Sequence, residues 1–240
     1  MAEKEIENDL KTIIGQNAEL IYSQVFHDTI KGSEWLPGDF PFSPGRGALG
    51  YPALYVLYRI LDEIRPQSVL EMGMGQSTKM IALYNHKHKE CRHCVVEHDQ
   101  KWIDFFCNHF ELPGTTEVVQ LPITDIPVTG SGKPQNVTVY AGFEDRFRGK
   151  KFDFICIDGP YGFRSPEFSR IDIVSILPEC LNEQFVILLD DCQRVGEMNT
   201  LRLITQILKE KQIKYSVNVY EGEKHTGLVV SEDLSFLCTM

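Results

Sequence analysis

The stretch Ser68-Val-Leu-Glu-Met-Gly-Met-Gly-Gln-Ser-Thr-Lys-Met-Ile-Ala-Leu83 decides the fold of this chain. A short apolar run carries an acid near its end, two glycines follow, and the remaining residues show helical spacing. This order is typical of a buried strand that turns sharply into a helix. Glycines allow the tight turn and the close approach of a ligand, and the first turn of the helix offers unpaired N–H groups. Packing alone also selects such glycines, but the context favours a nucleotide-like ligand beside Glu71, Gly73, Gly75 and Ser77.

The composition is that of a folded protein, and the length suits one domain of ordinary α/β size. The chain has 240 residues, of which 42% are hydrophobic and 24% charged, and its net charge is −10. The acidic balance argues against a nucleic acid as the main partner. Seven cysteines without a framework spacing indicate a reducing compartment. The start lacks a signal-peptide pattern, and no apolar run approaches the roughly 20 residues of a membrane span, so we expect a cytoplasmic protein with no membrane partner.

The region before the glycine turn divides into an extension and the start of the main domain. Residues 5–31 carry apolar residues at roughly helical spacing, which predicts one or two amphipathic helices that pack on the domain or form a homodimer surface. Residues 32–47 are rich in turn residues and contain Trp35, Phe40 and Phe42, so we expect a loop pinned to the core or a lid over a site. The predicted boundaries are therefore 1–47 for the helical extension with its lid-like loop and 48–240 for the main domain.

Strand and helix patterns alternate through the main domain, which predicts a mainly parallel sheet covered by helices on both faces and closed by an antiparallel hairpin. In such sheets ligands bind beyond the carboxyl ends of the strands. Four predicted strands end in acids, which is the pattern of the rim of a site: Glu71, Glu97, Asp158 and Asp190. We expect helices near 48–64, 77–86, 99–110, 166–178 and 194–211, a loop at 130–134, and strands at 68–71, 93–97, 116–121, 137–140, 152–157, 185–189, 214–220 and 226–230.

Glu97 follows Gly75 by 22 residues, at the end of the next predicted strand. An acid at this place accepts both hydroxyls of a ribose, whereas the role of capping the next helix fits Asp99 better. Two classes of enzyme share this geometry, the nicotinamide dehydrogenases and the S-adenosylmethionine (SAM) enzymes. The dehydrogenase fingerprint has a third glycine where this chain has Thr78, and the plain dinucleotide fold lacks a closing antiparallel hairpin.

Residues 48–230 resemble the class I SAM-dependent methyltransferases. Glu71-Met-Gly-Met-Gly75 is similar to their first motif, Glu97 to their ribose-binding acid, and Phe152-Asp-Phe-Ile-Cys-Ile-Asp158 to their fourth motif. The C-terminal hairpin resembles their last two strands. The resemblance implies a three-layer, Rossmann-like α/β fold with a seven-stranded sheet and SAM as the cofactor. It implies that Asp158 lies beside the cofactor and that His98 lines the adenosine pocket, unless His98 simply starts a helix.

Two branches of that superfamily share further residues with the chain. Ile157-Asp158-Gly159 with Leu188-Leu-Asp190-Asp191 resembles the catechol O-methyltransferase type, although that type has an asparagine where this chain has Asp191. A second set of motifs is similar to the glucuronoxylan 4-O-methyltransferases, which methylate a sugar hydroxyl: Gly73-Met-Gly75, Glu97-His-Asp-Gln-Lys-Trp-Ile103 and Asp158-Gly-Pro-Tyr-Gly162, followed by Arg170. The first resemblance implies Mg²⁺ held by Asp158, Asp190 and Asp191. The second implies a sugar-like acceptor.

Methyl transfer to an oxygen needs the acceptor held in line with the methyl group and the loss of the hydroxyl proton. A divalent cation on the three aspartates would lower the pKa of that hydroxyl, and without a metal Asp158 or Asp190 would serve as the general base. The alternative to a catalytic or metal-binding role is that these carboxylates only cap the helices that follow them. Tyr161 lies just past Asp158, and Arg164 and Arg170 either bind an acidic group of the acceptor or are ordinary surface arginines.

These residues predict a SAM-dependent O-methyltransferase that acts on a small or sugar-like hydroxyl acceptor. Two alternatives stay open. A nicotinamide-dependent oxidoreductase would use the glycine turn for a pyrophosphate, and a non-catalytic binding protein would keep the methyltransferase fold without methyl transfer.

Overall fold

A central sheet organises the computed structural model, which describes residues 2–45, 47–129, 134–165 and 167–240. The helices are α1 (Ala2–Ile30), α2 (Tyr51–Arg59), α3 (Gln76–Lys87), α4 (Gln100–His109), α5 (Phe143–Phe147) and α6 (Val195–Glu210). The strands are β1 (Ser68–Met72), β2 (Arg92–Glu97), β3 (Thr116–Gln120), β4 (Ile123–Thr129), β5 (Pro134–Tyr140), β6 (Phe152–Ile157), β7 (Leu181–Leu189), β8 (Tyr215–Tyr220) and β9 (Thr226–Ser231).

Seven strands form the sheet in the order β3-β2-β1-β6-β7-β9-β8. The first five of these are parallel, and β9 runs antiparallel between β7 and β8. This confirms the predicted mainly parallel sheet with an antiparallel C-terminal hairpin. The order of the strands reverses between β1 and β6, and ligands bind at such switch points because the loops diverge there. The carboxyl ends of β1, β2, β6 and β7 all lie at this edge.

Alternate residues of the central strands enter different cores. In β7, Val186 and Leu188 pack against the face covered by α1, α2 and α3. Ile187 and Leu189 pack on the opposite face, against apolar residues of α5 and α6. These four side chains are fully buried, and each contributes about 1.5–3 kcal/mol relative to an exposed position. A strand apolar on both faces is what a parallel sheet between two helical layers requires.

The N-terminal region is one long helix and a loop. Helix α1 places Phe26 and Ile30 in the same core as α2. In the loop, the Trp35 ring stacks on Tyr58 at 5.3 Å, and its Nε1 donates to Asp62 Oδ1 at 2.9 Å. The opposite face of α1 exposes seven aliphatic side chains: Ile6, Leu10, Ile13, Ile14, Leu20, Ile21 and Val25. The homodimer on this surface stays a prediction. Within the described ranges, no helix has both the length and the apolar character of a membrane span.

The helix expected near 166–178 is wrong over the residues that the structure describes. Position 166 lies outside them, and the rest is a loop that contains one 3₁₀ turn, Asp172–Ser175. Arg170 adopts a left-handed conformation with φ of 55°, which an α-helix does not tolerate. Side-chain interactions of Arg170 described below fix this conformation, so tertiary contacts override the local apolar pattern.

The chain between β3 and β6 contains a second, small sheet. Strand β5 is longer than the predicted 137–140 and pairs antiparallel with β4, which we did not predict. Most of β4 is exposed, so its sequence lacks the apolar run that reveals a buried strand. Of the predicted loop at 130–134, positions 130–133 lie outside the described residues.

Candidate functional site

A cavity of about 540 Å³ opens at the carboxyl ends of the parallel strands. Eight of the predicted site residues line it: Gly73, Gly75, Glu97, His98, Asp158, Tyr161, Arg170 and Asp191. The loop after α1 also contributes to the wall, through Gly47 and Ala48. Cavities of this size hold drug-sized ligands, and this one lies at the switch point of the sheet.

The turn after β1 contains a backbone conformation that favours glycine. Gly73 has φ of 95°, and a Cβ atom there would lie 3.0 Å from the carbonyl carbon of Asp158. The Gly75 N–H donates to Thr78 Oγ1 at 2.8 Å, so Thr78 helps to begin α3 at the place where a dehydrogenase would have glycine. A Cβ on Gly75 would meet nothing within 4 Å. The turn therefore leaves open space beside the cavity wall.

Glu97 is held at the cavity by backbone amides and by the His98 imidazole, whose Nδ1 lies 2.7 Å from Glu97 Oε1. Its carboxylate accepts hydrogen bonds from the N–H groups of Met74 at 3.2 Å, His98 at 2.7 Å and Asp99 at 3.0 Å. The residue is only 6% exposed, so its position is fixed before any ligand arrives. Asp99 instead caps α4, where its Oδ1 accepts from the Lys101 N–H at 2.9 Å. The capping role of Asp99 is the one that the sequence suggested, and ribose binding by Glu97 stays a prediction.

Four predicted site residues are not brought to the cavity wall. Glu71 is fully buried beneath the turn and contacts His93 Nε2 at 2.9 Å, because its strand position faces α3 and not the rim. Ser77 is buried in the first turn of α3. Arg164 is exposed, with its guanidinium 5.7 Å from the centre of the Phe163 ring. Asp190 is fully buried behind Asp191 and does not line the cavity.

Three aspartates meet at the ends of β6 and β7. One oxygen from each of Asp158, Asp190 and Asp191 lies within 4.8 Å of the others. Arg170 is inserted among them: its guanidinium is 3.1 Å from Asp158 Oδ1 and 2.8 Å from Asp191 Oδ2, and only 5% of its side chain is exposed. Arg170 is thus committed to internal carboxylates and is not a surface arginine.

Arg170 and Asp191 are both left-handed, with φ of 55° and 64°. Such conformations cost non-glycine residues about 1–3 kcal/mol and persist where the surrounding structure enforces them. Here the two strained residues are ion-paired with each other, and Arg170 also donates to the backbone carbonyl of Asp190 at 3.1 Å. Strain of this kind concentrates at functional sites.

Three further members of this cluster were not predicted: Lys224, Arg194 and Glu197. Lys224, in the turn between β8 and β9, is 8% exposed and forms a hydrogen-bonded ion pair with Asp190. Arg194 lies 3.0 Å from Asp191 Oδ2 and 3.3 Å from Glu197 Oε1. Lys224 follows Asp190 by 34 positions and comes close only because β9 pairs with β7. A spacing pattern could not have found it.

The surroundings shift the pKa values of Asp158 and Asp191 in opposite directions. Burial, reinforced by repulsion from Asp190, raises the pKa of Asp158 to about 7, against the opposing effect of Arg170 and Lys224. Asp191 is also penalised by burial, but Arg170, Lys224 and Arg194 outweigh that penalty and hold its pKa below the ordinary value. Neighbouring acids with such different pKa values are typical of acid–base sites. Asp158 is the one that can exchange a proton near neutral pH.

No protein-family model matches the chain, and no curated protein sequence matches it. Solved structures do match. A putative caffeoyl-CoA O-methyltransferase from Staphylococcus aureus aligns with a TM-score of 0.48 and 12% identity, over 96% of this chain and 100% of that chain. An O-methyltransferase from Bacillus cereus in complex with SAH gives 0.49 and 16%, over 90% and 91%. TomG from Streptomyces achromogenes in complex with SAM gives 0.49 and 13%, over 89% of each chain.

These identities are too low to carry over a substrate, and the assignment of the fold rests on the sheet itself. Five parallel strands are followed by an antiparallel pair, in the order β3-β2-β1-β6-β7-β9-β8. The glycine turn after β1 and the acid at the end of β2 lie at the switch point of that sheet. The chain therefore has the Rossmann-like α/β fold, with a closing antiparallel pair of strands, that the sequence predicted.

Proposed function

We propose that the protein is a SAM-dependent methyltransferase that methylates a hydroxyl oxygen of a small, sugar-like acceptor. One observation carries the proposal: a single cavity extends from Glu97 at the end of β2, past the glycine turn, to Asp158 and Asp191 beyond β6 and β7. A site for a nucleoside and a site for a proton acceptor therefore share one space. Methyl transfer needs both in the same place.

The residues around the glycine turn fit a SAM nucleoside. Glu97 offers a carboxylate whose orientation is already fixed by three N–H groups, as a ribose-binding acid requires. Gly75 leaves the space next to it open, and the Trp102 ring lines the same wall while its Nε1 donates to the Met74 carbonyl at 2.8 Å. The His98 ring packs edge-on against the Tyr161 ring, with 4.8 Å between the ring centres, and both residues line the cavity.

Asp158 is the general base in this proposal. Its side chain is 18% exposed at the cavity, and with its pKa raised to about 7 it can take a hydroxyl proton near neutral pH. When bound, SAM supplies a methyl group on a positively charged sulfonium, and the task of the chain is to align the acceptor oxygen and remove its proton. Arg170 orients Asp158 through the 3.1 Å contact. Asp190 raises the pKa of Asp158, and Asp191 holds Arg170 in place.

The acceptor would lie against exposed aromatic rings. Tyr161 and Phe163 line the cavity and are 41% and 68% exposed, so they present faces on which a sugar ring or another small ring can pack. Arg164 lies over both rings and can reach an acidic group on such an acceptor. The volume of about 540 Å³ suits a small molecule beside the cofactor.

The cofactor is tested by calorimetric titration with S-adenosylhomocysteine (SAH), the product form of SAM, and with NAD. We expect micromolar affinity for SAH and no heat with NAD. Glu97→Ala should weaken SAH binding at least tenfold, whereas Glu111→Ala, an exposed acid, should not change it. Tight NAD binding would instead identify an oxidoreductase, and binding of neither ligand would overturn the cofactor assignment.

The reaction is tested with labelled SAM and a panel of hydroxylated acceptors. Asp158→Asn should keep SAH affinity and lose at least a hundredfold in turnover, because general acid–base catalysis contributes about 10²–10⁴-fold. Asp145→Asn, which removes an exposed acid, is the matched control. Unchanged turnover in Asp158→Asn would exclude Asp158 as the base, and an absence of turnover on every hydroxyl acceptor would favour a non-catalytic binding protein.

A further inference from the structure

The ammonium of Lys224 lies between two of the three aspartates, Asp190 and Asp191. It forms an ion pair with Asp190, lies 3.1 Å from Asp191 Oδ1 and donates to the Ala48 carbonyl at 3.0 Å. An ammonium has three N–H donors, so these three acceptors satisfy it completely. The residue is 8% exposed and comes from the tight turn between two paired strands, so it is held there by the fold.

The remaining oxygens of the cluster face other cations. Arg170 lies 3.1 Å from Asp158 Oδ1 and 2.8 Å from Asp191 Oδ2, and Arg194 is 3.0 Å from the latter oxygen. Four of the six carboxylate oxygens of the three aspartates therefore already have a cationic partner. A divalent cation prefers several unshared oxygen ligands, and hard cations such as Mg²⁺ require nearly octahedral geometry. The cluster does not offer that set while Lys224 is present.

The charges give the same result. Three carboxylates against one ammonium and one guanidinium leave a single negative charge, before Arg194 and Glu197 are added as a further neutral pair. A divalent ion would make the buried cluster positive and would lie next to the ammonium, where like charges repel strongly because little water screens them. A metal could enter only if Lys224 left.

We infer that Lys224 replaces the divalent metal ion in this site, so that the protein holds its aspartates with a built-in cation and takes no divalent metal. Lys224 is then a positioning residue: it fixes Asp190 and Asp191, which set the environment of Asp158 and the position of Arg170. The catalytic consequence, methyl transfer that needs no metal, rests on the proposed function. The occupancy of the site does not.

The experiment is titration of the full chain with Mn²⁺ alone, with the free ion followed by electron paramagnetic resonance. We compare the wild type, Lys224→Met and Lys214→Met, a control in which an exposed lysine loses the same charge. The wild type and the control should leave millimolar Mn²⁺ free. Lys224→Met should bind Mn²⁺ at least a hundredfold more tightly, and adding Asp191→Asn to that variant should abolish the gain.

Two results would overturn the inference. Micromolar Mn²⁺ binding by the wild type that is lost in Asp191→Asn would show that the aspartates accept a metal despite Lys224. Equal binding by Lys224→Met and the wild type would show that the ammonium does not block the position. If Lys224→Met fails to fold, Lys224→Gln keeps a donor toward Asp190, and the wild-type titration decides by itself. Neither result depends on turnover or on SAH binding, so failure of the proposed function would be seen separately.

Discussion

The two sides of the cavity are held together by different interactions, backbone hydrogen bonds on one side and ion pairs between side chains on the other. The backbone side, formed by the turn at 73–75 with Glu97, uses peptide groups: three N–H donors hold one carboxylate. The ionic side, formed by Asp158, Asp191 and Arg170 at the cavity with Asp190 and Lys224 buried behind them, uses charged side chains. The partners of Glu97 lie within a few residues of it or across a neighbouring strand. The side chains of Arg170 and Lys224 reach the aspartates from the loop after β6 and from the turn between β8 and β9.

The two kinds of interaction predict different losses of stability when a residue of the site is replaced. A carboxylate held by amides that are fixed by secondary structure can be removed at the cost of a few hydrogen bonds, each about 0.5–1.5 kcal/mol. A member of a buried ion network cannot be removed so easily, because its partner is left charged and unpaired. We therefore expect substitutions on the backbone side to affect binding, and substitutions on the ionic side to affect folding.

The largest effect is expected for Arg170→Met. The substitution leaves Asp158 and Asp191 without the guanidinium that lies between them, and breaking a buried ion pair costs about 3–5 kcal/mol. Urea denaturation at pH 7 should show a loss of this size. Arg202→Met, an exposed arginine on α6, should change the free energy of unfolding by less than about 0.5 kcal/mol. A loss below about 1 kcal/mol for Arg170→Met would remove the distinction between the two sides.

The backbone side should respond in the opposite way to Gly75→Val. The new side chain would extend into the open space beside the cavity, so SAH affinity should fall at least tenfold, or about 1.4 kcal/mol, with little change in the unfolding transition. Gly114→Val is the matched control, because a Cβ on Gly114 also meets nothing within 4 Å but lies away from the cavity wall. Calorimetry and thermal unfolding of both variants give the comparison. Equal SAH affinity in the two variants would place the ligand elsewhere.

The backbone side could be predicted from the sequence and the ionic side only in part. Glycine turns, strand-ending acids and apolar runs are local patterns, so β1, β2 and β6 and the place of Glu97 at the end of β2 were predicted within a residue or so, and β7 was predicted except for its first four residues. The three aspartates were predicted to converge because parallel strands end at one edge, and they do. Their counterions were not found, because an isolated lysine in a turn looks the same whether it is solvated or buried.

The segment between β6 and β7 shows why a local pattern fails on the ionic side. Its apolar residues suggested a helix at 166–178, but Arg170 is held in a left-handed conformation by carboxylates at the ends of both strands. The ion pairs that decide its backbone conformation join residues 158, 170 and 191. No window of ordinary length contains all three, so the propensity within the segment gave the wrong result.

Asp172 offers a sharper test, since it is a buried acid that has no ion pair with a cation among the residues that the structure describes. It is 5% exposed, its Oδ1 accepts from the Tyr140 N–H at 2.6 Å, and its Oδ2 finds no hydrogen-bond partner in the part of the chain that the structure describes. Burial raises its pKa from 3.8 to about 7. Between these values the folded state holds a proton that the unfolded state has lost. The free energy of unfolding should therefore fall as pH rises from about 4 to about 7, by at most about 1.4 kcal/mol per pH unit.

Asp172→Asn should remove this dependence while keeping the acceptor for Tyr140 N–H. Urea denaturation at pH 5, 6, 7 and 8 should show a variant that is already more stable than the wild type at pH 5, with an advantage that grows up to about pH 7 and then levels off. Asp158 has a raised pKa of the same sign, but it is present in both proteins and cancels in the difference. Parallel curves for the two proteins would mean that Asp172 titrates alike in the folded and unfolded states.

The smallest effect is expected in the loop after α1. Trp35 attaches this loop to Asp62, and the Ala48 carbonyl accepts a hydrogen bond from Lys224. Trp35→Phe keeps an aromatic ring on Tyr58 but loses the hydrogen bond to Asp62, so we expect a loss of about 0.5–1.5 kcal/mol in stability. Trp102 is then the remaining tryptophan of two, and it lines the cavity. Its fluorescence should report SAH binding with the wild-type affinity, because Lys224 still holds the loop beside the cavity. Weaker binding would mean that the Trp35 end of the loop also shapes the site.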